Sequence, residues 1–405
     1  MTQFRDPDLA DRAYIAATAY HAIKRYFAHA EGLPVGYDFE TRYRAYLGEA
    51  LEAPNRKAFS LTTMRFFAGL RNGHTSFWDE ELTQQTGPMP FRIRRIDNQW
   101  TVVRSRITHL HPGDVVTVVD GKPVDDWLEV VREHIGQSSL AALDWMTWLR
   151  PYLLPQRFTI GTDDGRQVPI DLTELPTEPE RGPPLASEVE TIRRTDRLVV
   201  IRIPSFDDPK HEEAAIAALR GVESARVILL DLRDNNGGSS PGGLLSAIMT
   251  KPYRGTLVST PMTIAKSDAS NSFNGSIPAL PTTMMQSGPD VTLPFPDAWK
   301  GKMALLINGG SASACEDFAM RFKDGERGLV LGEPSFGSTG QPYFVNFTEF
   351  GMSFRVSTKR EYFPDGRRFE GVGVTPDVSI PLTRNELKKG TDAQLELAAK
   401  MISAQ

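Results

Sequence analysis

Leu305-Leu306-Ile307-Asn308-Gly309-Gly310-Ser311-Ala312-Ser313-Ala314-Cys315-Glu316-Asp317-Phe318 is the stretch on which the fold turns. An apolar run of strand length ends in Asn-Gly-Gly. Small residues follow, and then a pattern with helical spacing. The reading is a strand over 303–308, a sharp turn, and a helix over 314–322. In such a unit Ser313 stands at a helix N-terminus, beside the C-terminal end of a strand. Free N–H groups and the helix dipole there favour a developing negative charge. Ligands of α/β sheets bind at that edge. A serine in this place is equally an ordinary N-cap, so the segment alone does not separate the two readings.

On either side, strands and helices alternate. Strands are expected at 197–203, 227–232, 328–331 and 352–357, and helices at 212–219 and 242–249. That order predicts an α/β domain with a largely parallel sheet. After the strand ending at Asp231-Leu232 comes Arg233-Asp234-Asn235-Asn236-Gly237-Gly238-Ser239-Ser240-Pro241-Gly242-Gly243. Its four glycines let backbone N–H groups approach a ligand closely, and the loop is a candidate second oxyanion donor. No Gly-Lys-Ser/Thr follows, which argues against a phosphate loop. A polar, Pro- and Ser-rich insertion at about 256–300 is expected to form a lid or a substrate wall. Glu370, ahead of Gly371-Val372-Gly373, would by itself be read as a surface residue.

Toward the N-terminus the pattern is helical over 10–30, 37–51 and from about 58 to 70. The third helix is expected to end at Arg71-Asn72-Gly73, with Gly73 at the C′ position. His74 then falls on a loop, where function concentrates. From residue 90 the character changes to strands at 91–93 and 100–103. His111-Pro112-Gly113-Asp114, an apolar strand, the Asp120-Gly121 turn and Lys122-Pro123-Val124 come next, and a helix is expected over 127–135. This run resembles the central part of a PDZ domain, a fold that captures extended peptides by strand addition. Residues 173–187, rich in Pro and Glu, read as an extended linker. The resulting division is a helical region at 1–88, a PDZ-like module at 89–175, a linker at 176–192 and an α/β core at 193–405.

Composition sets the outer limits. A chain of 405 residues is too long for one compact core. The net charge of -5 gives no general attraction to phosphate, so nucleic acid is not an expected partner. No apolar run reaches the roughly 18–20 residues that span a bilayer. Cys315 is the single cysteine, which excludes an internal disulfide and a Cys-based zinc site. No metal or cofactor is expected. Residues 1–10 contain Arg5, Asp6 and Asp8 and no apolar core, so they do not read as a signal peptide. As written the chain would be cytoplasmic; with a signal removed it would be periplasmic or secreted.

Four motifs in fixed order resemble peptidase family S41, the C-terminal processing proteases and tricorn core proteases. They are Asp231-Leu232-Arg233-x-Asn235-x-Gly237-Gly238, then Asn308-x-x-Ser311-Ala312-Ser313-Ala314-x-Glu316, then Gly332-Glu333-Pro334-Ser335-Phe336-Gly337, and finally Gly373-Val374-x-Pro376-Asp377. The resemblance runs over about 197–381. It implies a ClpP/crotonase-like α/β core and a serine hydrolase acting on peptides or proteins, with homo-oligomers left open. It makes Ser313 the nucleophile and Cys315, where relatives carry a third serine, a packed residue. The general-base lysine of the processing proteases follows Phe-Gly, and here Ser338 stands in its place. Gln341 matches a nearby glutamine. The tricorn-like branch instead uses a histidine from the helical region and a late glutamate, and Asn72-Gly73-His74-Thr75 and Glu370 match those segments. The resemblance therefore assigns His74 as base and Glu370 as its support, directly or through a hydroxyl such as Ser338. It assigns the oxyanion hole to N–H groups of Gly237 or Gly238 and of Ala314. Ser239 is a further candidate for substrate contact.

Other residues compete less well. His111 is placed facing the cleft, and His109 lies in the same module. His21, His29, His134 and His211 read as packing or solvated residues. Lys359 is the rival base. Two rival functions stay open: a non-catalytic binding protein on the same scaffold, and a hydrolase of modified peptides, esters or lactones.

Overall fold

In a computed structural model, the structure describes residues 4–174, 178–183, 185–195, 197–222, 226–273 and 279–403. Of the expected linker, residues 176, 177 and 184 lie outside these, as do 274–278 of the insertion.

A six-stranded sheet organises the C-terminal half. Its order is Val378–Ser379, Leu329–Gly332, Lys302–Ile307, Val227–Asp231, Leu198–Arg202 and Glu190–Arg193. Neighbours pair in parallel except for the last strand, which is antiparallel. The two central strands are apolar at almost every position because both faces are covered. Ile228, Leu230, Met303, Leu305 and Ile307 face the helices Pro209–Arg220, Gly242–Ile248 and Ala314–Asp324. Leu229, Ala304 and Leu306 face the other way, onto Leu395, Ala398 and Ile402 of the helix Ala393–Ser403. The helix after the Ser313 turn starts at the expected residue and runs two residues further; the helix expected at 212–219 starts three residues earlier, at Pro209, and the strand expected at 352–357 lies outside this sheet, in an antiparallel one.

The module at 91–171 is a curved antiparallel sheet in the order Phe91–Ile96, Gln99–Ser105, Val115–Val119, Arg157–Thr162, Gln167–Asp171. The helix Val124–Arg132 packs on it through Leu128 and Val131. Asp120 (φ 49°) and Gly121 (φ 74°) turn the chain between Val119 and Lys122. Positive φ at both positions is what an Asp-Gly hairpin turn provides.

The N-terminal helices Leu9–Tyr26, Phe39–Glu52 and Arg56–Ala68 do not close a core by themselves. They share one with a hairpin far along the chain, Pro342–Phe347 and Met352–Ser357, whose Phe347, Met352, Phe354 and Val356 pack against Ile23, Phe59 and Phe67. The short strand Ser76–Asp79 joins that hairpin, with Phe77 opposite Phe354. Arg56 clamps the junction. It reaches both carboxylate oxygens of buried Asp79 (3.0 and 2.6 Å) and the Phe350 carbonyl. Truncating one partner of such a pair would strand a buried charge.

Two expectations change here. The third helix ends at Ala68 with Gly69 as its C-cap, so Gly73 is not a helix terminator. A Cβ on Gly73 would lie 3.1 Å from Ser338 Oγ and 2.6 Å from Gln137 Oε1; its glycine serves close approach of two loops. The described residues of the insertion also do not line the cleft that holds Ser313. The insertion's strand Leu257–Pro261 pairs with Met284–Ser287 and Arg360–Tyr362. Backbone pairing to Arg360–Tyr362 holds it elsewhere. No helix among the described residues is long and apolar enough to cross a membrane.

Candidate active site

Ser313 carries a strained backbone. Its φ of 56° and ψ of −123° lie in a region that L side chains rarely adopt. Such strain persists only where surroundings over-determine it, and it clusters at functional sites. Glu316, three residues on and fully buried, holds the turn. It accepts from Ser335 Oγ (2.5 Å), Gly337 N–H (2.6 Å), Ser338 N–H (3.0 Å) and Ser313 N–H (3.1 Å). One carboxylate thus ties the Ser313 turn to the 335–338 loop. Burial pushes its carboxyl up to about 8, and the four donors oppose that rise.

Four side chains stand in line across this junction. Ser313 Oγ is 3.2 Å from His74 Nε2. His74 Nδ1 is 3.1 Å from Ser338 Oγ, and Ser338 Oγ donates to Glu370 Oε1 at 3.1 Å. Because Ser338 spends its only proton on Glu370, it accepts from His74 Nδ1–H. That leaves the Nε2 lone pair facing Ser313. His74 therefore reaches Glu370 through the hydroxyl and not directly.

The loop bearing His74 is tied on three sides. Asn72 Oδ1 accepts from His74 N–H (2.9 Å), and Asn72 Nδ2 donates to Glu370 Oε1 (2.9 Å). Arg355 donates to the Gly73 carbonyl (2.8 Å), and Thr75 Oγ1 accepts from Ser357 N–H (3.0 Å). Ser138 Oγ also donates to Glu370.

Burial, and then the cations of Arg355 and Lys359 with His29 beside it, holds His74 well below the ordinary histidine range. It is neutral, hence a competent base, at neutral pH. Burial raises Glu370 to about 7 against the donors Ser138, Ser338 and Thr339 N–H. Its anion is what balances the imidazolium that would form on proton transfer. The expected acid limb of kcat/KM for hydrolysis therefore falls as pH drops through about 7, set by Glu370 because His74 has already lost its proton there. Glu370→Gln should lower the rate and flatten that limb. A wild-type limb lying wholly below pH 6 would refute the assignment.

The glycine loop lies against Ser313. A Cβ on Gly237 would sit 2.8 Å from Ser313 Cβ and 2.6 Å from the Ala312 carbonyl. The Gly237 N–H, however, donates to Asn235 Oδ1 (3.0 Å), so it is not a free donor. Among the described residues the Gly238 and Ala314 N–H groups meet no acceptor. Gly238 lines a cleft of about 1130 Å³ together with Ser313 and His74.

Three further candidates are elsewhere. Ser239 is exposed, its N–H held by the Phe206 carbonyl, and Gln341 is exposed. Neither lines the cleft. His111 does not face the cleft; it is on the surface of the β module, where its N–H is fixed by Asp114. His109 lines a separate depression on that module. Lys359 is paired with Glu361 (2.7 Å) and does not line the cleft either. Cys315 is fully buried, and burial pushes its thiol well up.

Glu316, Asn72 and Ser138 were not given roles by the sequence reading. Ser313-x-x-Glu316 has capping-box spacing, and Asn72-Gly73 has the form of a side-chain-stabilised turn. Those two signals were readable. Nothing local pointed to Ser138.

A strained serine at a parallel sheet edge, facing a histidine, is an arrangement that nucleophilic catalysis can use. Residues 197–380 match the model of Peptidase family S41. A probable CtpA-like serine protease of Staphylococcus haemolyticus is 26% identical over 67% of this chain and 47% of its own length. The chloroplastic carboxyl-terminal-processing peptidase 2 of Arabidopsis thaliana is 33% identical over 41% of this chain and 28% of its own. The chain thus spans less than half the length of either relative. Among solved structures, mature CPAF superposes with a TM-score of 0.73 at 17% identity, over 98% of this chain and 97% of that one. That likeness concerns the fold.

Proposed function

We propose that this protein is a serine peptidase acting through an acyl-enzyme on Ser313. The observation that carries the reading is the unbroken line from Ser313 through His74 and Ser338 to Glu370. Ser313 Oγ attacks the scissile carbonyl carbon and its proton passes to His74 Nε2. The imidazolium so formed keeps its Nδ1–H on Ser338 Oγ, and the Glu370 anion balances the charge. The carbonyl oxygen becomes an oxyanion between the N–H groups of Gly238 and Ala314. Each such donor contributes about 3–4 kcal/mol to the transition state. His74 then protonates the departing amine, and water repeats the sequence to release the acid.

A cleft of about 1130 Å³ exceeds what a small ligand fills and suits an extended peptide. A fluorophosphonate probe should label the wild-type protein on Ser313. Freshly folded wild type that stays unlabelled would sink the reading.

A further inference from the structure

Two arginines in the wall of this cleft have no ion-pair partner among the described residues. Arg92 and Arg104 are cross-strand partners on Phe91–Ile96 and Gln99–Ser105, so their side chains leave the sheet together. They are only 8% and 7% exposed, and both line the cleft that holds Ser313. Among the described residues neither makes a hydrogen bond or ion pair, and Arg92 Nε is buried without an acceptor. Arg94, two residues along the same strand, shows the contrast: it is bonded to Glu333 at 2.6 Å. Asp234 lies within electrostatic reach of both arginines, and exposed Glu180 of Arg104, but neither forms an ion pair with them.

This arrangement is costly for an empty wall. Like charges directly opposite on adjacent strands repel, and a buried cation without a partner costs several kcal/mol. Burial accordingly pushes the Arg92 guanidinium down to about 9 and Arg104 in the same direction. The site is nonetheless built. The Arg92 guanidinium stacks 4.5 Å from the Trp145 ring, with Arg94 4.2 Å from it. Trp145 in turn abuts Gly310, three residues before the nucleophile, where a Cβ would come within 2.5 Å of the indole. The stack fixes the guanidinium relative to the Ser313 turn.

We propose that Arg92 and Arg104 form a subsite for a carboxylate carried by the substrate. The assignment rests on the peptidase reading only for the word substrate. The carboxylate is either the C-terminus of the peptide or an Asp or Glu side chain; paired guanidinium forks suit both.

Binding to the full chain carrying Ser313→Ala separates these. Three probes are titrated calorimetrically: an acetylated pentaalanine with a free C-terminus, its C-terminal amide, and that amide with one Glu in place of Ala. At least one carboxylate probe should bind about tenfold to a hundredfold more tightly than the neutral amide, the range for charge-assisted hydrogen bonds. The tighter of the two identifies the source. R92Q and R104Q, each made in that background, should abolish the difference. Either variant alone suffices if the other does not fold. Fluorophosphonate labelling of the wild-type protein on Ser313 is read separately. Equal binding of all three probes, or discrimination that survives both substitutions, overturns the proposal. Failure of labelling with carboxylate discrimination intact would overturn the peptidase reading and leave the subsite standing.

Discussion

Ser313→Ala should reduce peptide hydrolysis by roughly a millionfold, the loss seen when a serine nucleophile acting with its base is removed. The protein should stay folded. The Ser313 hydroxyl faces His74, while the contacts that hold the turn use the Ser313 backbone N–H and the Glu316 carboxylate. A second substitution checks the backbone argument. At φ 56° and ψ −123°, alanine inherits the strain of serine and glycine does not. Ser313→Gly should therefore be more stable than Ser313→Ala by about 1 kcal/mol in denaturant unfolding, the low end for relieved backbone strain after the entropy that glycine adds to the unfolded chain. Both should be equally inactive. Residual hydrolysis in Ser313→Ala within a hundredfold of wild type would remove Ser313 from the chemistry. An alanine variant more stable than the glycine one would remove strain from the account of the turn.

His74→Ala should cost about as much as loss of the serine, because nucleophile and base act as one unit and their losses are not additive. The double variant Ser313→Ala with His74→Ala should be no slower than either single one. Lys359→Ala should stay within about tenfold of wild type. Its ammonium is already committed to Glu361 at 2.7 Å, and its only bearing on the site is the repulsion that helps keep His74 neutral. Burial is the largest cause of the His74 shift and Lys359 a minor one, so removing this repulsion leaves the imidazole neutral above neutral pH. Steady-state rates on a common peptide, at pH 8 where Glu370 is ionised, make the comparison. Inactive Lys359→Ala beside active His74→Ala would reverse the assignment of the base.

The α/β order was readable because its signals are local. The runs at 227–231 and 302–307 are apolar at successive positions, as strands buried on both faces must be. The turn at 308–313 is rich in glycine and serine, which disfavour the interior of a regular element. The capping relation between Ser313 and Glu316 spans three residues. Likewise Asp120-Gly121 sets its own hairpin by backbone preference alone.

What could not be read locally is everything that depends on separation along the chain. The helical region and the 342–357 hairpin share one apolar core, which the division at 88 and 193 does not express. The reason is physical: each part presents one apolar face, and only tertiary packing decides which two faces meet. The same packing brings His74 within hydrogen-bonding distance of groups more than 230 residues away. Residue types and motif order nominated Ser313, His74, Ser338 and Glu370. The structure sets the order in which they touch, with the Ser338 hydroxyl between His74 and Glu370. It also engages the Gly237 N–H with Asn235 and puts Ser239, Gln341 and His111 outside the cleft. Burial is equally invisible in a sequence. Arg92 and Arg104 look like ordinary surface arginines until the sheet aligns them and the cleft closes around them. The sequence by itself nominated residues able to carry chemistry and most of the elements on which they ride. Tertiary structure alone decided their distances, their charge states and which of them face the substrate, because those follow from packing and desolvation and not from spacing.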